Sequence, residues 1–352
     1  MIAGRMKFIS EDARFAHNPM KTPKFLIVFS FVALVAVASG FWLYRKTTSN
    51  FASVSAKEVV VGYLPIYVDL PVFVASEKGF FKNRGLKVRL ESFKSSPAMG
   101  DSMVKGDVDA GASIAYAVAL GIESRDPGKL KVFLVDSESP TGYLSSLVAL
   151  KSSGIKTVAD LRGKTVASFP GPAALTFGKM VLEKFGLNPN KDLKFFELDA
   201  AAHLDALRSG QVDALFTYEP IATQAVLDYG AVKILPAAVE SQIINPWQAG
   251  VWVLSSDFIT RRPEDARALS LAIYDAVDFL RLHPVEAKAA LEKYTQIRSE
   301  VALQTPNVPF AKLGEVDLPA FQRHADILRD RGVISKSIDA KQMLIPQAWL
   351  RQ

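Results

Sequence analysis

Residues 59–93 read VVVGYLPIYVDLPVFVASEKGFFKNRGLKVRLESF, and the order of residue types in this stretch decides the fold. Val59-Val60-Val61 is a β-branched run suited to a strand buried on both faces. It breaks at Gly62 into a loop carrying Pro65, Tyr67 and Asp69, and then enters an apolar helix over 70–78. A Gly-Leu turn at 85–86 leads to a second strand, 88–93. Strand, loop, helix, turn and strand in that order begin an α/β unit with parallel strands.

The same order recurs further along. Lys105-Gly-Asp-Val-Asp-Ala110 returns as Ser209-Gly-Gln-Val-Asp-Ala214, and the Gly-Leu turn before VRLESF returns as Gly186-Leu187 before KFFELD. Val59–Pro65 aligns likewise with Thr165–Pro172. Three matches in one order predict two similar lobes. Strands are expected at 59–62, 88–93, 110–113, 131–135, 145–150, 165–169, 194–198, 214–217 and 252–255, in mostly parallel sheets. Each Gly ends a helix in the left-handed conformation and each Asp starts a turn into the next strand.

The chain has 352 residues, 49% of them hydrophobic and 22% charged, with a net charge of +6. Residues 1–46 hold seven of the 42 basic and two of the 36 acidic residues, leaving 35 and 34 for the remainder. That part is nearly neutral, which excludes a basic field for nucleic acid. With no cysteine, disulfides, thiolate metal sites and Cys nucleophiles are excluded. The four histidines stand far apart in sequence, so neither a catalytic zinc nor any other cofactor is expected. Gly100-Asp-Ser-Met103 resembles an esterase start, but it lies in an expected helix. No Gly-x-Ser-x-Gly or Walker loop is present, and a non-enzymatic protein is expected.

Phe25 to Tyr44 is twenty residues without a charge, about 30 Å as a helix, the thickness of a hydrocarbon core. Five basic residues precede it and two follow, which favours a cytoplasmic N-terminus. The expectation is a cytoplasmic tail over 1–24, a signal anchor in the inner membrane over 25–44 and a linker over 45–56. Ala36-Val37-Ala38 offers a competing cleavage site, which would release a periplasmic protein.

The motifs Gly62-Tyr-Leu-Pro65, Ala75-Ser-Glu-Lys-Gly79-Phe-Phe-Lys82, Gly85-Leu-Lys-Val-Arg-Leu90, the two Gly-x-Val-Asp-Ala runs, Leu161-Arg-Gly-Lys-Thr-Val166 and Tyr218-Glu-Pro220 form an ordered set over 57–335. It resembles the periplasmic solute-binding proteins of nitrate, sulfonate and taurine ABC importers and their relatives that bind thiamine pyrimidine precursors. The chain departs from that pattern in its long anchor, in Tyr218 where many members have Trp, and in lacking the cysteine-rich motif of the pyrimidine-synthesising branch. The resemblance implies an α/β two-lobe clamshell of the type II periplasmic binding fold. Lobe 1 would span 57–142 and 247–352, and lobe 2 would span 143–246.

On that reading a monomer captures a small ligand in the cleft and delivers it to a permease with its ATPase. Tyr67 and Asp69, Ser113 and Tyr116 would line lobe 1, with Asp69 either facing ligand or capping the helix. Ser168, Gly171 and the N–H groups of Ala173 and Ala174 would offer lobe 2 a site for a sulfonate, nitrate or carboxylate oxygen. Tyr218, Glu219 and Trp247 would complete it, with Glu219 either touching ligand or bracing the loop. A small organic molecule with one acidic head is expected. The alternatives are an aminopyrimidine ligand, or a membrane-anchored sensor or partner-docking role.

Overall fold

The computed structural model describes residues 57–351, in which strands and helices alternate. The strands are β1 (Val59–Tyr63), β2 (Val88–Ser92), β3 (Ala110–Ala115), β4 (Leu130–Asp136), β5 (Ser145–Leu150), β6 (Thr165–Ser168), β7 (Lys194–Glu197), β8 (Ala214–Tyr218), β9 (Ala231–Pro236), β10 (Gly250–Ser255) and β11 (Phe310–Lys312). They form a six-stranded sheet of order β11-β4-β10-β3-β1-β2 and a five-stranded sheet of order β7-β6-β8-β5-β9.

β1 pairs in parallel with β2 on one side and β3 on the other, and Val59 and Val61 are buried as the β-branched run predicts. Helix α1 (Leu70–Glu77) carries the chain back, and α2 (Ser96–Lys105) ends on Gly106 at φ +86°. Asp109 then fixes β3 against β1. Its carboxylate accepts from the Val60 N–H at 2.9 Å, and its own N–H donates to the Val60 carbonyl at 3.0 Å.

The second sheet repeats this arrangement bond for bond. β6 lies between β7 and β8, both parallel to it. Helix α3 (Pro172–Lys184) follows β6, and α4 (His203–Ser209) ends on Gly210 at φ +76°. Asp213 accepts from the Thr165 N–H and donates to its carbonyl, each at 2.8 Å. The Asp of each Gly-x-Val-Asp-Ala run is therefore a register pin.

The sheets differ from the expected parallel pattern at an inner strand each, and the short edge strand β11 also runs antiparallel to β4. β10 runs antiparallel between β3 and β4, and β5 runs antiparallel between β8 and β9. Each arrives from the other sheet rather than by a crossover helix on its own, and parallel insertion requires that crossover. β9 and β11, which the sequence reading passes over, are edge strands, β9 partly buried and β11 three residues long. A large apolar core runs through both halves, taking in Val61, Leu147, Phe177, Trp247 and Phe321, and a smaller one around Val148, Leu207 and Leu215 lies within the five-stranded half.

The expected membrane segment at 25–44 lies outside the described residues, among which no helix is long and apolar enough to cross a membrane. Close packing beneath the strand ends gives a first expected outcome. A Cβ on Gly250 would overlap both the Asp136 carboxylate and the Ser113 hydroxyl. Gly250→Ala should therefore cost about 1–3 kcal/mol by overpacking, read as a lower urea midpoint at unchanged slope. An unchanged midpoint would mean that this contact yields.

Candidate functional site

In open α/β sheets ligands sit beyond the carboxyl ends of the strands, which puts the candidate site on the loops after β1, β3, β6 and β8. After β1, Asp69 is fully buried. One oxygen accepts from the Leu64 N–H at 2.6 Å and closes the loop, while the other has no partner in the protein. Asp69 makes no side-chain bond to the first turn of α1. Burial holds its carboxyl well above the usual range, the Leu64 bond opposes this, and the charge of Asp136 adds to it. Tyr67 is buried and lines a cavity of about 210 Å³ with Leu70, Val277 and Pro309.

After β3, Ser113 sits at φ +23° with its hydroxyl donating to Asp136 at 2.5 Å. Tyr116 is fully buried, stacked on Phe321 at 4.3 Å. Both side chains are committed to the protein interior. After β6, Ser168 donates to the Phe169 carbonyl at 3.0 Å. Gly171, at φ +107°, turns the chain so that Pro172 opens α3, followed by Ala173 and Ala174. Their N–H groups belong to the first helical turn, which has no intrahelical acceptor.

After β8, Tyr218 stacks on Phe169 at 4.4 Å and lies 5.7 Å from the Trp247 ring. Glu219 is buried and already engaged. It accepts from the Thr223 N–H at 3.0 Å, in the first turn of α5 (Ile221–Tyr229), and from Lys233 Nζ at 2.5 Å. Of the two roles open to Glu219 in the sequence, the loop brace is the one its bonds fill.

The sequence reading missed three residues that the fold gathers around Trp247. Glu138 and Trp247 exchange backbone hydrogen bonds at 2.9 Å each. One Glu138 oxygen accepts from the Ala249 N–H at 3.2 Å, and the other has no protein partner. Trp247 Nε1, both ends of the Gln248 amide and both ring nitrogens of His324 are likewise buried without one. His324, on α6 (Leu318–Asp330), packs edge-on to Tyr116 and Phe177 and lies 6.3 Å from Trp247. Burial pushes its imidazole down to about 3, offset slightly by the Gln248 backbone, which faces it without completing a hydrogen bond. Their common signal is a polar group inside apolar surroundings, which only the folded chain displays.

Glu138 sits among other acids. Burial pushes its carboxyl well above the usual range, the charges of Asp136 and Glu240 add to this, and backbone bonds oppose it. Burial also raises Asp136 to about 6 against hydrogen bonds from Ser113 and Trp252. Glu240 is bonded to the N–H groups of Leu144 and Ser145 and to the Ser145 hydroxyl. Among the described residues no group of three or more acidic or His side chains is placed to hold a metal ion.

Comparison with known proteins agrees with this architecture. The profile of the NMT1-like family matches residues 53–295. A Haemophilus influenzae protein provisionally named a thiamine biosynthesis protein is 25% identical over 307 residues, covering 82% of this chain and 92% of that one. The periplasmic aliphatic sulphonate binding protein SsuA of Escherichia coli superposes with a TM-score of 0.68 at 19% identity, covering 83% of this chain and 93% of that one. The desulfurization enzyme DSZB superposes with a TM-score of 0.64 at 17% identity, covering 84% and 98%. At these identities the structures show a shared fold: the α/β two-domain periplasmic-binding-protein fold.

The acids and Lys233 generate two expected outcomes. A carboxyl raised in the folded state contributes stability below its unfolded pKa and loses it as pH rises through the raised value. Glu138→Gln should thus be more stable than the parent at pH 8, by about 1–3 kcal/mol, and the gap should close toward pH 4.5. Thermal midpoints across that range would check it, and a pH-independent gap would refute the assignment. Lys233→Met leaves the buried Glu219 carboxylate without its cation and should cost about 3–5 kcal/mol in the same measurement.

Proposed function

The chain belongs to the NMT1-like family, and we propose that it is the solute-binding protein of an ABC importer. It captures a small organic ligand between two lobes on the periplasmic side of the cytoplasmic membrane and hands it to a permease. The observation that carries this reading is the set of buried polar atoms, on Asp69, Glu138, Ser146, Trp247, Gln248 and His324, that the protein leaves unbonded. Each such atom costs about 1–3 kcal/mol unless something bonds it, and a ligand enclosed on closure would recover that cost.

The moving bodies are lobe 1, residues 57–142 with 247–352, and lobe 2, residues 143–246. The two crossings lie before β5 and before β10, and they are the hinge. Ligand contacts made only in the closed form would drive closure, since a ligand shifts an equilibrium only by its differential affinity. Residues 25–44 would tether a monomer beside its permease. Among the described residues neither buried histidine favours catalysis: His203 is engaged by Thr217 and Leu198, and His324 is ringed by aromatic side chains.

Two ion pairs bridge the lobes and favour closure. Arg298 meets Asp228 at 2.6 Å and Arg331 meets Glu183 at 2.9 Å, all four side chains at least a quarter exposed. Exposed pairs of this kind are worth about 0.2–1 kcal/mol each. Spin labels at Lys105→Cys and Ser209→Cys, both exposed and in an otherwise cysteine-free chain, would report the distance between lobes in the full-length protein. Alkyl sulfonates, nitrate, carboxylates and aminopyrimidines form the panel. At least one should shorten the distance, and Arg298→Ala with Arg331→Ala should weaken that ligand by roughly two- to tenfold. No shortening with any of them would sink the capture reading in favour of a sensor or docking role.

A further inference from the structure

We propose that closing the two lobes takes up one proton from solvent, bonded to the free carboxyl oxygen of Glu138, so that the hinge works as a proton-operated latch. This rests on the capture reading above and adds the regulation of that same cleft.

The two crossings, 137–144 and 243–249, run side by side and are joined by acids at three levels. At the six-stranded sheet, Asp136 accepts from the Ser113 hydroxyl and the Trp252 indole N–H. At the five-stranded sheet, Glu240 sits on the short helix Ala238–Gln242 and accepts from the Leu144 and Ser145 N–H groups and the Ser145 hydroxyl. That hydroxyl accepts in turn from the Val239 N–H at 2.8 Å. Midway, Glu138 exchanges backbone bonds with Trp247 and accepts from the Ala249 N–H. All three acids are at most 1% exposed.

Hydrogen-bond donors to a carboxylate favour its charged form. Glu240 has three such donors and Asp136 two, whereas Glu138 has one, and its second oxygen is unbonded. Glu138 is therefore the member of the three that most needs a proton. Burial and the charges of Asp136 and Glu240 act against its ionisation, and Asp69 stands within reach of Asp136 as a further acid. Tyr218 feels both Glu138 and Glu240, and His324, beyond Trp247, is held neutral by burial. Among the described residues no cation pairs with any of the three. Lys233 is spent on Glu219, and Arg323, which lines a cavity of about 420 Å³ with Glu240, is itself exposed.

The cover over Glu138 comes from both lobes. Its bonded neighbour Trp247, in lobe 1, packs against Phe177 and Tyr218 of lobe 2 and against His324 of lobe 1. Parting the lobes would draw Phe177 and Tyr218 away, admit water to the free oxygen and let the carboxyl ionise. The closed form then binds the proton more tightly than the open form. Closure is fully favoured below the open-form pKa and is lost as pH rises through the higher, closed-form value.

The test uses the full-length protein spin-labelled at Lys105→Cys and Ser209→Cys, without ligand, between about pH 5 and about pH 9. The ratio of open to closed molecules should rise by roughly tenfold per pH unit between the two pKa values, as one coupled proton requires. Glu138→Gln, a neutral side chain of the same shape, should stay closed across the range, and Glu138→Asp, which titrates, should restore a pH-dependent ratio. Thermal melts of both variants at about pH 5 would confirm that they fold. A ratio independent of pH in the parent would overturn the latch, and shortening with a ligand of the panel would then leave capture standing. A pH response that survives in Glu138→Gln would overturn Glu138 as its site. Lobes that answer pH through Glu138 but no ligand of the panel would support the latch and overturn capture.

Discussion

The Asp136 carboxylate takes the Ser113 hydroxyl on one oxygen and the Trp252 indole N–H on the other, at 2.5 and 3.0 Å. It stands at the end of β4, Ser113 on β3, and Trp252 on the β10 strand that separates them. One buried acid thus joins three strands where the sheet meets the site. Gly250 lies against it with no room for a side chain, and Ser113 is held at a positive φ that few residues other than glycine adopt. The strained backbone and the close approach are supported by the same two hydrogen bonds, and Glu138 and Trp247 follow directly from the elements so fixed.

The acids near this knot follow two different rules. Glu219 and Glu240 are saturated by Lys233, by backbone N–H groups and by Ser145, so they behave as structural parts of the half built on the five-stranded sheet. Asp69 and Glu138 are each half-satisfied, one oxygen anchored on a backbone N–H and the other free. A carboxylate held by one oxygen is oriented without being consumed. This division separates the acids whose oxygens the fold consumes from those that keep one oxygen unspent, and residue type alone would not have separated them.

That difference also explains how much could be read from the sequence. The repeated Gly-x-Val-Asp-Ala runs and Gly-Leu turns were legible because their chemistry is local. Gly106 and Gly210 end helices, and Asp109 and Asp213 bond strands that always follow in the same order. The antiparallel placement of β5 and β10 was not legible, because it depends on which sheet the incoming strand can reach. Ser113 and Tyr116 stand at the strand ends where ligand residues were expected, yet their side chains turn inward to Asp136 and Phe321. Gln248 and His324 were invisible for the opposite reason: a lone Gln beside Trp, or a His within an amphipathic helix, carries no signal until its surroundings are known to be dry.

The position of β10 has a consequence for the order in which the chain becomes complete. Every strand of the five-stranded sheet lies between residues 145 and 236, so that sheet can close as soon as its own segment is available. The six-stranded sheet cannot. Until residues 250–255 arrive, β3 and β4 each present an unsatisfied edge toward the gap that β10 fills. Such edges invite pairing with other chains, and bridging so long a stretch of sequence slows folding. The first-made half of the domain is thus the last to be finished, and the chain stays short of a sealed sheet until most of its length has emerged. Export as proposed above would carry the chain across the membrane with that sheet still open.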